Sequence, residues 1–233
     1  SRYPLDLDRL GRMSLISGDG DNAQVHMAHL AIVGASSVNG VAKLHTDLLK
    51  EKVLRDFAEL WPGKFNNKTN GITPRRWLLK ANPPLASLVT EAIGDGWITD
   101  LEQLQGLEAF ADDAAFRERF RAAKQHNKLA LTNYIKTVLD ITVSPDSLFD
   151  VQVKRLHEYK RQLLLALYSI ILYGRLKRNQ DLDVVPRTII FSAKAAPGFA
   201  MAKLIIKLIH QIAQVVNSDP QVRDKLAVVF LPN

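Results

Sequence analysis

The chain has 233 residues, of which 47% are hydrophobic and 24% charged, and this balance excludes a compositionally disordered chain. The absence of cysteine excludes disulfides and thiolate metal sites, and it favours a reducing, cytoplasmic location. Lysine and arginine outnumber the acids by 31 to 24, and seven of the basic residues with only one acid lie between positions 154 and 178, so most of the excess charge belongs to one segment.

The sequence shows no pattern typical of a membrane or targeting segment. Its longest apolar run covers positions 163–173, which is much shorter than the roughly 20 residues that a membrane-spanning helix needs. The first residues, Ser-Arg-Tyr-Pro, contain neither an initiator methionine nor an apolar signal core. We therefore expect no membrane partner.

The first 60 residues have apolar side chains three or four positions apart, as amphipathic helices do. This pattern predicts no strand and four short helices, over positions 6–16, 25–33, 41–50 and 53–60. The small residues from Asn39 to Ala42 are interpreted as a turn between two of these helices.

A polar stretch between Pro62 and Gly71 interrupts the helical periodicity with turn-forming residues. Such a stretch is typical of a linker or a binding loop. We place a domain boundary near Asn70, which divides the chain into residues 1–70 and 71–233.

The second part begins with a predicted helical layer and continues as alternating strands and helices. The helices of the layer cover positions 74–80, 85–93, 101–110 and 114–139, and Asp112 and Asp113 cap the last of them. Three apolar or alternating runs then predict strands over 148–153, 184–191 and 226–231, with helices over 160–176 and 201–216 between them. This order indicates an α/β fold with a parallel, doubly wound sheet.

The segment with the richest chemistry follows the first of these strands, where Lys154, Arg155 and Lys160 precede a helix. Anions bind at this position in open α/β sheets. Two cations 4 Å apart repel by roughly 4 kcal/mol at an effective dielectric of 20, and a bound phosphate would relieve such repulsion. The residue types alone leave equally open a solvated basic helix start, with Asp150 and Glu158 balancing part of the charge.

A second candidate segment surrounds the predicted boundary. Gly71 allows the backbone to approach a ligand, Asn70 can hydrogen-bond sugar hydroxyls, and Trp77 offers a flat apolar face. A carbohydrate or an aromatic cofactor fits this composition. The alternative is an interdomain turn that leads into a helix begun by Pro74, with Trp77 in the core.

Two weaker patterns complete the candidates. The small residues from Ser192 to Gly198 follow a predicted strand, so they form either a ligand-facing loop or a tight turn, and they lack the Walker spacing. His26 and His29 are three positions apart and His45 lies on another helix, with no carboxylate on a matching face. We therefore expect no metal site.

Together these segments resemble the α-glucan phosphorylase family, with matching order and spacing from about Leu7 to Asn233. The strings that carry the resemblance are Asn67–Trp77, Val151–Gln162, and Lys194–Gly198 with Met201–Lys203. The resemblance implies an α/β fold of two Rossmann-like domains of the GT-B type that face each other across a cleft. Residues 1–70 would end the N-terminal glucan-binding domain, and residues 71–233 would begin the C-terminal cofactor-binding domain.

The resemblance also implies roles for the cations and for Trp77. Arg155 and Lys160 match the family's catalytic ligands of the substrate phosphate. Lys154 matches a ligand of the phosphate group of pyridoxal 5'-phosphate, and Trp77 matches a residue that lies against this cofactor. The lysine that would bind the cofactor as a Schiff base lies beyond the end of the chain.

For the sugar, the resemblance implies contacts to the glucosyl unit from Asn70, Tyr159 and Val41. Ala196 and Phe199 would lie near a pocket that binds aromatic inhibitors in some members of the family.

The activity implied is phosphorolysis of terminal α-1,4-glucosidic bonds by inorganic phosphate to give α-D-glucose 1-phosphate, with the cofactor's phosphate as a proton shuttle. The parent protein would be a cytoplasmic homodimer, and this fragment alone would be inactive. One alternative is a non-catalytic carbohydrate-binding or regulatory module of the same fold. A nucleic-acid partner is not expected, because the excess of basic residues is concentrated in one βα unit and lacks a recognition motif.

Overall fold

The computed structural model describes residues 3–232 of the chain. These residues form two compact units, which divide after Thr73. Each unit has its own core. The assignment of residues 1–70 and 71–233 to two domains of a longer enzyme stays a prediction.

The first unit contains short helices and two small sheets. Its helices are α1 (Leu7–Arg12), α2 (Met27–Gly34), α3 (Lys43–Leu48) and α4 (Arg55–Leu60), with a π-helical turn at Leu49–Val53 and 3-10 turns at Gly20–Asn22 and Pro62–Lys64. Strands β1 (Ile16–Ser17) and β2 (Gln24–Val25) pair antiparallel, and β3 (Val38–Gly40) and β4 (Phe65–Asn67) pair parallel. The buried core consists of Ile32, Phe57, Ala58 and Phe65.

Three strands before residue 60 correct the prediction that this region contains helices alone. Helix α1 ends at Arg12, so the predicted helix over 6–16 is too long. Asn39 and Gly40, which we interpreted as part of a turn, belong to β3. These strands have only two or three residues each, which is too short for a period of two to be recognised in a sequence.

The second unit begins with helices, as predicted. They are a π-helical turn at Arg75–Lys80, α5 (Pro83–Ile93), 3-10 segments at Gly96–Ile98 and Leu101–Phe110, and α6 (Ala114–Leu139). The bounds of α6 confirm the prediction. Asp113 caps this helix by accepting hydrogen bonds from the backbone N–H groups of Ala115 (2.8 Å) and Phe116 (3.1 Å), whereas Asp112 does not cap it.

The rest of the second unit is a parallel βαβαβ arrangement, which confirms the α/β class. The elements are β5 (Leu148–Val153), a 3-10 turn at Glu158–Lys160, α7 (Gln162–Arg178), β6 (Arg187–Ser192), α8 (Ala200–Ser218) and β7 (Leu226–Leu231). The strand order is β5-β6-β7. Strand β6 starts later than the predicted position 184, because Pro186 has no N–H group to donate to a ladder.

Helices cover both faces of this sheet. Ile189 and Phe191 of β6 belong to a core cluster with α7 and α8, whereas Ile190 belongs to a cluster with Ile135 of α6. Successive residues of a strand point to opposite faces, so a central strand buried on both sides has an unbroken apolar sequence. This explains the continuous apolar run of β6.

The outer edge of β7 is occupied by a side chain. Asn217 of α8 donates from Nδ2 to the carbonyl oxygen of Val228 (2.7 Å), and the N–H of Val228 donates to Asn217 Oδ1 (3.0 Å). One carboxamide therefore satisfies both backbone groups that Val228 would present to a further strand.

No helix in the described part of the chain is both long enough and apolar enough to cross a membrane.

Asp219 joins α7 to the end of α8. Its carboxylate accepts hydrogen bonds from Tyr173 Oη (2.8 Å), the Gln221 backbone N–H (2.9 Å) and Lys177, whose Nζ lies 2.9 Å away. The bond to Lys177, followed by those to the Gln221 backbone and to Tyr173, lowers the pKa of Asp219 to about 2.

Replacing Asp219 by asparagine is expected to lower the free energy of unfolding near neutral pH and to have a smaller effect in acid. An aspartate in an unfolded chain has a pKa of about 3.9. Because the folded pKa is lower, the stabilisation is fully present above about pH 4 and is lost as the pH falls toward about 2. Urea unfolding of both proteins between about pH 6 and about pH 3 measures this difference.

The matched control is Asp183→Asn, because Asp183 is exposed and forms no ion pair within residues 3–232. A destabilisation by Asp219→Asn that stays constant over the same pH range would show that the charge of Asp219 does not contribute.

Candidate functional site

The cations predicted to bind phosphate follow the carboxyl end of β5. The pairing with β6 continues past both strands, because the Lys154 N–H donates to Ser192 O (3.2 Å) and the Leu156 N–H donates to Lys194 O (3.0 Å). Leu156 is buried in the core cluster beneath. The structure therefore brings the loop of residues 154–161, called here the cationic loop, beside the small-residue segment that follows β6.

The cationic loop ends in an unusual backbone conformation. Residues 158–160 form a 3-10 turn, and Arg161 is in the left-handed region, with φ 58° and ψ 37°. A non-glycine residue in this region costs about 1–2 kcal/mol. Helix α7 consequently begins at Gln162 and not at Lys160 as predicted.

The side chains of the cationic loop have no acidic partners. Lys154 and Arg155 are exposed, and neither they nor Lys160 forms an ion pair in the part of the chain that the structure describes. Of the two carboxylates that the alternative interpretation used to balance their charge, Asp150 is instead paired with Arg187 at 2.7 Å. The other, Glu158, lies within the loop but forms no ion pair with the described residues, so four cations face one carboxylate and the loop keeps a net positive charge.

Aromatic rings lie beside these cations. The His157 ring is 4.7 Å from the Tyr159 ring and 5.0 Å from the Phe199 ring, measured between centroids. Lys160 Nζ is 5.7 Å from the centroid of Tyr159, whose side chain is 71% exposed. Charge and a flat apolar surface are thus available together, which suits a ligand with both a phosphate and a ring. Phe199 is placed beside His157 by a turn, in which the carbonyl oxygen of Ala196 accepts a hydrogen bond from the Phe199 N–H (3.0 Å).

Val41 and Asn70 of the first unit are brought together by the backbone. The parallel pairing of β3 and β4 continues through the Lys68 N–H, which donates to Gly40 O (3.0 Å), and the Asn70 N–H, which donates to Val41 O (2.9 Å). The Asn70 side chain is exposed and forms no hydrogen bond with the described residues. Its carboxamide is free to bind a ligand.

Gly40 is required by the packing of this pair. A Cβ atom at Gly40 would lie 2.7 Å from Thr46 Cα, which is closer than real Cβ contacts. Thr46 is itself held through Oγ1, whose single proton is shared between Ala42 O and Asn67 Oδ1, both 2.9 Å away. The glycine therefore allows α3 to pack directly against the strand that leads to Val41.

Trp77 lies on the π-helical turn of the second unit and is 59% exposed. The alternative interpretation of Trp77 as a core residue is therefore wrong for this chain. The tryptophan in the core is Trp97, which is fully buried and donates from Nε1 to Thr90 Oγ1 (3.1 Å). The exposed ring of Trp77 is available to a ligand.

Sequence reasoning missed two polar residues that flank the cationic loop. Gln162 is buried, and Gln152 is partly buried, and each donates hydrogen bonds to carbonyl oxygens of this loop. The only feature of the sequence that could have revealed them was a glutamine at the start of an otherwise apolar helix. Among residues 3–232, no group of three or more His, Asp or Glu side chains could hold a metal ion.

Comparison with known proteins gives consistent matches over the whole chain. The carbohydrate phosphorylase family matches residues 1–233. A glycogen phosphorylase from a Synechocystis strain is 56% identical over 232 residues, which is 100% of this chain and 27% of that protein. The human liver form of glycogen phosphorylase is 54% identical, and the human muscle form is 52% identical, each over 99% of this chain. The chain spans 27% of the length of these relatives.

Proposed function

Because the chain belongs to the carbohydrate phosphorylase family, we propose that it is a segment of an α-glucan phosphorylase, a glycosyltransferase that transfers a terminal glucosyl unit to inorganic phosphate. The substrates would be an α-1,4-glucan and orthophosphate, and the product would be α-D-glucose 1-phosphate. The relatives at 56% and 54% identity are named glycogen phosphorylases, which supports glycogen as one such glucan.

The observation that carries this proposal is the net positive charge of the cationic loop, whose cations form no ion pair with the described residues. In the proposed site, Arg155 and Lys160 bind the substrate phosphate and stabilise the negative charge that develops on it. An arginine can hold two phosphate oxygens and a lysine adds a point charge, with each contact contributing about 1.5–3 kcal/mol. Cations that the backbone already places at the end of a strand can provide this stabilisation.

Contacts to the glucosyl unit are proposed for Asn70, Val41 and Tyr159, each on its own chemistry. The free carboxamide of Asn70 can donate to and accept from sugar hydroxyls, and the carbonyl of Val41 is already held by the Asn70 N–H. The exposed ring of Tyr159 offers an apolar face and a hydroxyl. Orientation of the sugar by such groups contributes to rate by bringing the reacting atoms into line.

The residues present fit pyridoxal 5'-phosphate. Lys154 has no acidic partner within the described range and would hold the phosphate group of the cofactor, while the exposed ring of Trp77 would lie against it. When bound, the cofactor would supply a phosphate group that can exchange a proton with the substrate phosphate. We propose no residue of this segment as the lysine that would form the Schiff base.

We further propose the setting of this segment. The full protein would have two Rossmann-like domains of the GT-B type, with residues 1–70 in the N-terminal and residues 71–233 in the C-terminal domain. It would be a cytoplasmic homodimer. The parallel sheet of β5, β6 and β7 supports the second assignment.

The proposed function predicts that a full-length protein with this segment releases glucose 1-phosphate from glycogen or maltodextrin when orthophosphate is added. A coupled assay of glucose 1-phosphate measures the reaction, with sulfate in place of phosphate as the control. A protein that holds pyridoxal phosphate but releases none from either glucan would refute the proposal and would favour a non-catalytic carbohydrate-binding module.

A further inference from the structure

Two glutamine side chains hold the cationic loop at opposite ends. Gln162, the first residue of α7, donates from Nε2 to the carbonyl oxygens of Lys154 (3.4 Å) and Arg155 (3.2 Å). Gln152, on β5, donates from Nε2 to the carbonyl oxygen of Lys160 (3.0 Å). The contacts cross, because the helix residue holds the strand end of the loop and the strand residue holds its helix end.

This arrangement has features that a purely stabilising role does not explain. Gln162 is only 1% exposed. The Oε1 atoms of Gln152 and Gln162 are buried and have no hydrogen-bond partner within residues 3–232. A buried unpaired oxygen is unfavourable, and so is the left-handed conformation of Arg161, the last residue of the cationic loop. Several local costs at one loop indicate that its conformation serves a function.

A carboxamide is a suitable group to hold the backbone of the cationic loop in one conformation. The side chains of Lys154, Arg155 and Lys160 repel one another and have no carboxylate in the described structure to hold them. A carboxylate would orient the loop but would also neutralise the charge that an anion needs. A neutral amide that binds the carbonyl oxygens orients the backbone and leaves the positive charge intact.

We propose that Gln152 and Gln162 are positioning residues, which hold the backbone of the cationic loop in the conformation that binds orthophosphate. Neither side chain needs to touch the ligand, because each acts through the carbonyl groups of residues that do. The inference rests on the proposed role of Arg155 and Lys160 as ligands of the substrate phosphate.

The test uses the full-length protein with Gln162→Met or Gln152→Met, since methionine keeps the length of the side chain and removes its hydrogen-bond donor. Each variant is expected to raise KM for orthophosphate by about tenfold, the effect of losing about one hydrogen bond, with KM for the glucan unchanged. The rise in melting temperature that orthophosphate produces should shrink in parallel.

The matched control is Leu172→Ala. Leu172 is buried on α7 in the core cluster, so its truncation should weaken the packing of the same helix without changing KM for orthophosphate. If the glutamine variants lower the melting temperature as Leu172→Ala does and keep the original KM for orthophosphate, the positioning role is wrong. If Gln162→Met does not fold, the less buried Gln152→Met decides the question by the same measurements.

Arg155→Ala in the same assay separates the two hypotheses. An unchanged KM for orthophosphate and an unchanged kcat in Arg155→Ala would refute the proposed function of the loop itself. Impairment in Arg155→Ala, with normal phosphate binding in both glutamine variants, would refute only the positioning inference.

Discussion

Replacing Arg155 by alanine in the full-length protein is expected to lower kcat for phosphorolysis by about 100-fold to 1,000-fold. Loss of one fixed donor to a developing negative charge costs about 2.7–4 kcal/mol in enzymes that use such donors. Arg155 is exposed, and its side chain has no partner in the described residues. The effect should therefore come from the lost ligand contact, with little change in stability. Steady-state kinetics with glycogen and varied orthophosphate measure kcat and KM.

The control for this prediction is Arg175→Ala. Arg175 lies near the end of α7 and is also exposed and without an ion pair among the described residues. It carries the same charge but lies at the opposite end of the helix from the cationic loop. Equal losses in the two variants would indicate that net charge, and not the position of Arg155, determines activity.

Phe191→Ala is expected to lower the free energy of unfolding by about 3–5 kcal/mol, because it leaves a cavity in a closely packed core. Phe191 is 1% exposed and lies on the central strand β6, opposite Phe230 of β7 and Gln152 of β5. The surrounding backbone is held by ladders on both sides, so the cavity cannot collapse easily. Urea unfolding of the chain with and without the substitution measures the difference.

Val185→Ala provides a comparison at a neighbouring apolar residue. Val185 is exposed just before β6, so its truncation should change the free energy of unfolding by no more than about 0.5 kcal/mol. A similar loss in both variants would mean that Phe191 does not occupy the core position described here.

The long elements were predictable because their periodicity is local. Helix α6 and the strands β5 and β7 have the predicted bounds, since their apolar residues recur over six or more positions. The short strands of the first unit were missed because a parallel pair such as β3 and β4 depends on hydrogen bonds between residues far apart in sequence. The start of α7 was misplaced because the left-handed conformation of Arg161 is unusual for any residue except glycine.

The candidate site was predictable in its residue types and less so in its surroundings. Three cations between a strand and a helix indicated an anion site, but the sequence could not show whether nearby carboxylates pair with them. Asp150 is four positions from Lys154, yet it pairs with Arg187, 37 positions away. Likewise, a glutamine is compatible with many environments, so the hydrogen bonds that Gln162 donates to the loop could be found only from the structure.

The hydrogen bonds between Asn217 and Val228 make the two borders of the parallel sheet unequal. A foreign peptide that approached β7 would have to displace a carboxamide already bonded to both the N–H and the C=O of Val228. Strand β5 pairs only with β6 among the described strands, and its residues Val151 and Val153 are exposed. Among the described residues, a further strand would therefore meet fewer occupied backbone groups at the edge of β5 than at Val228 of β7.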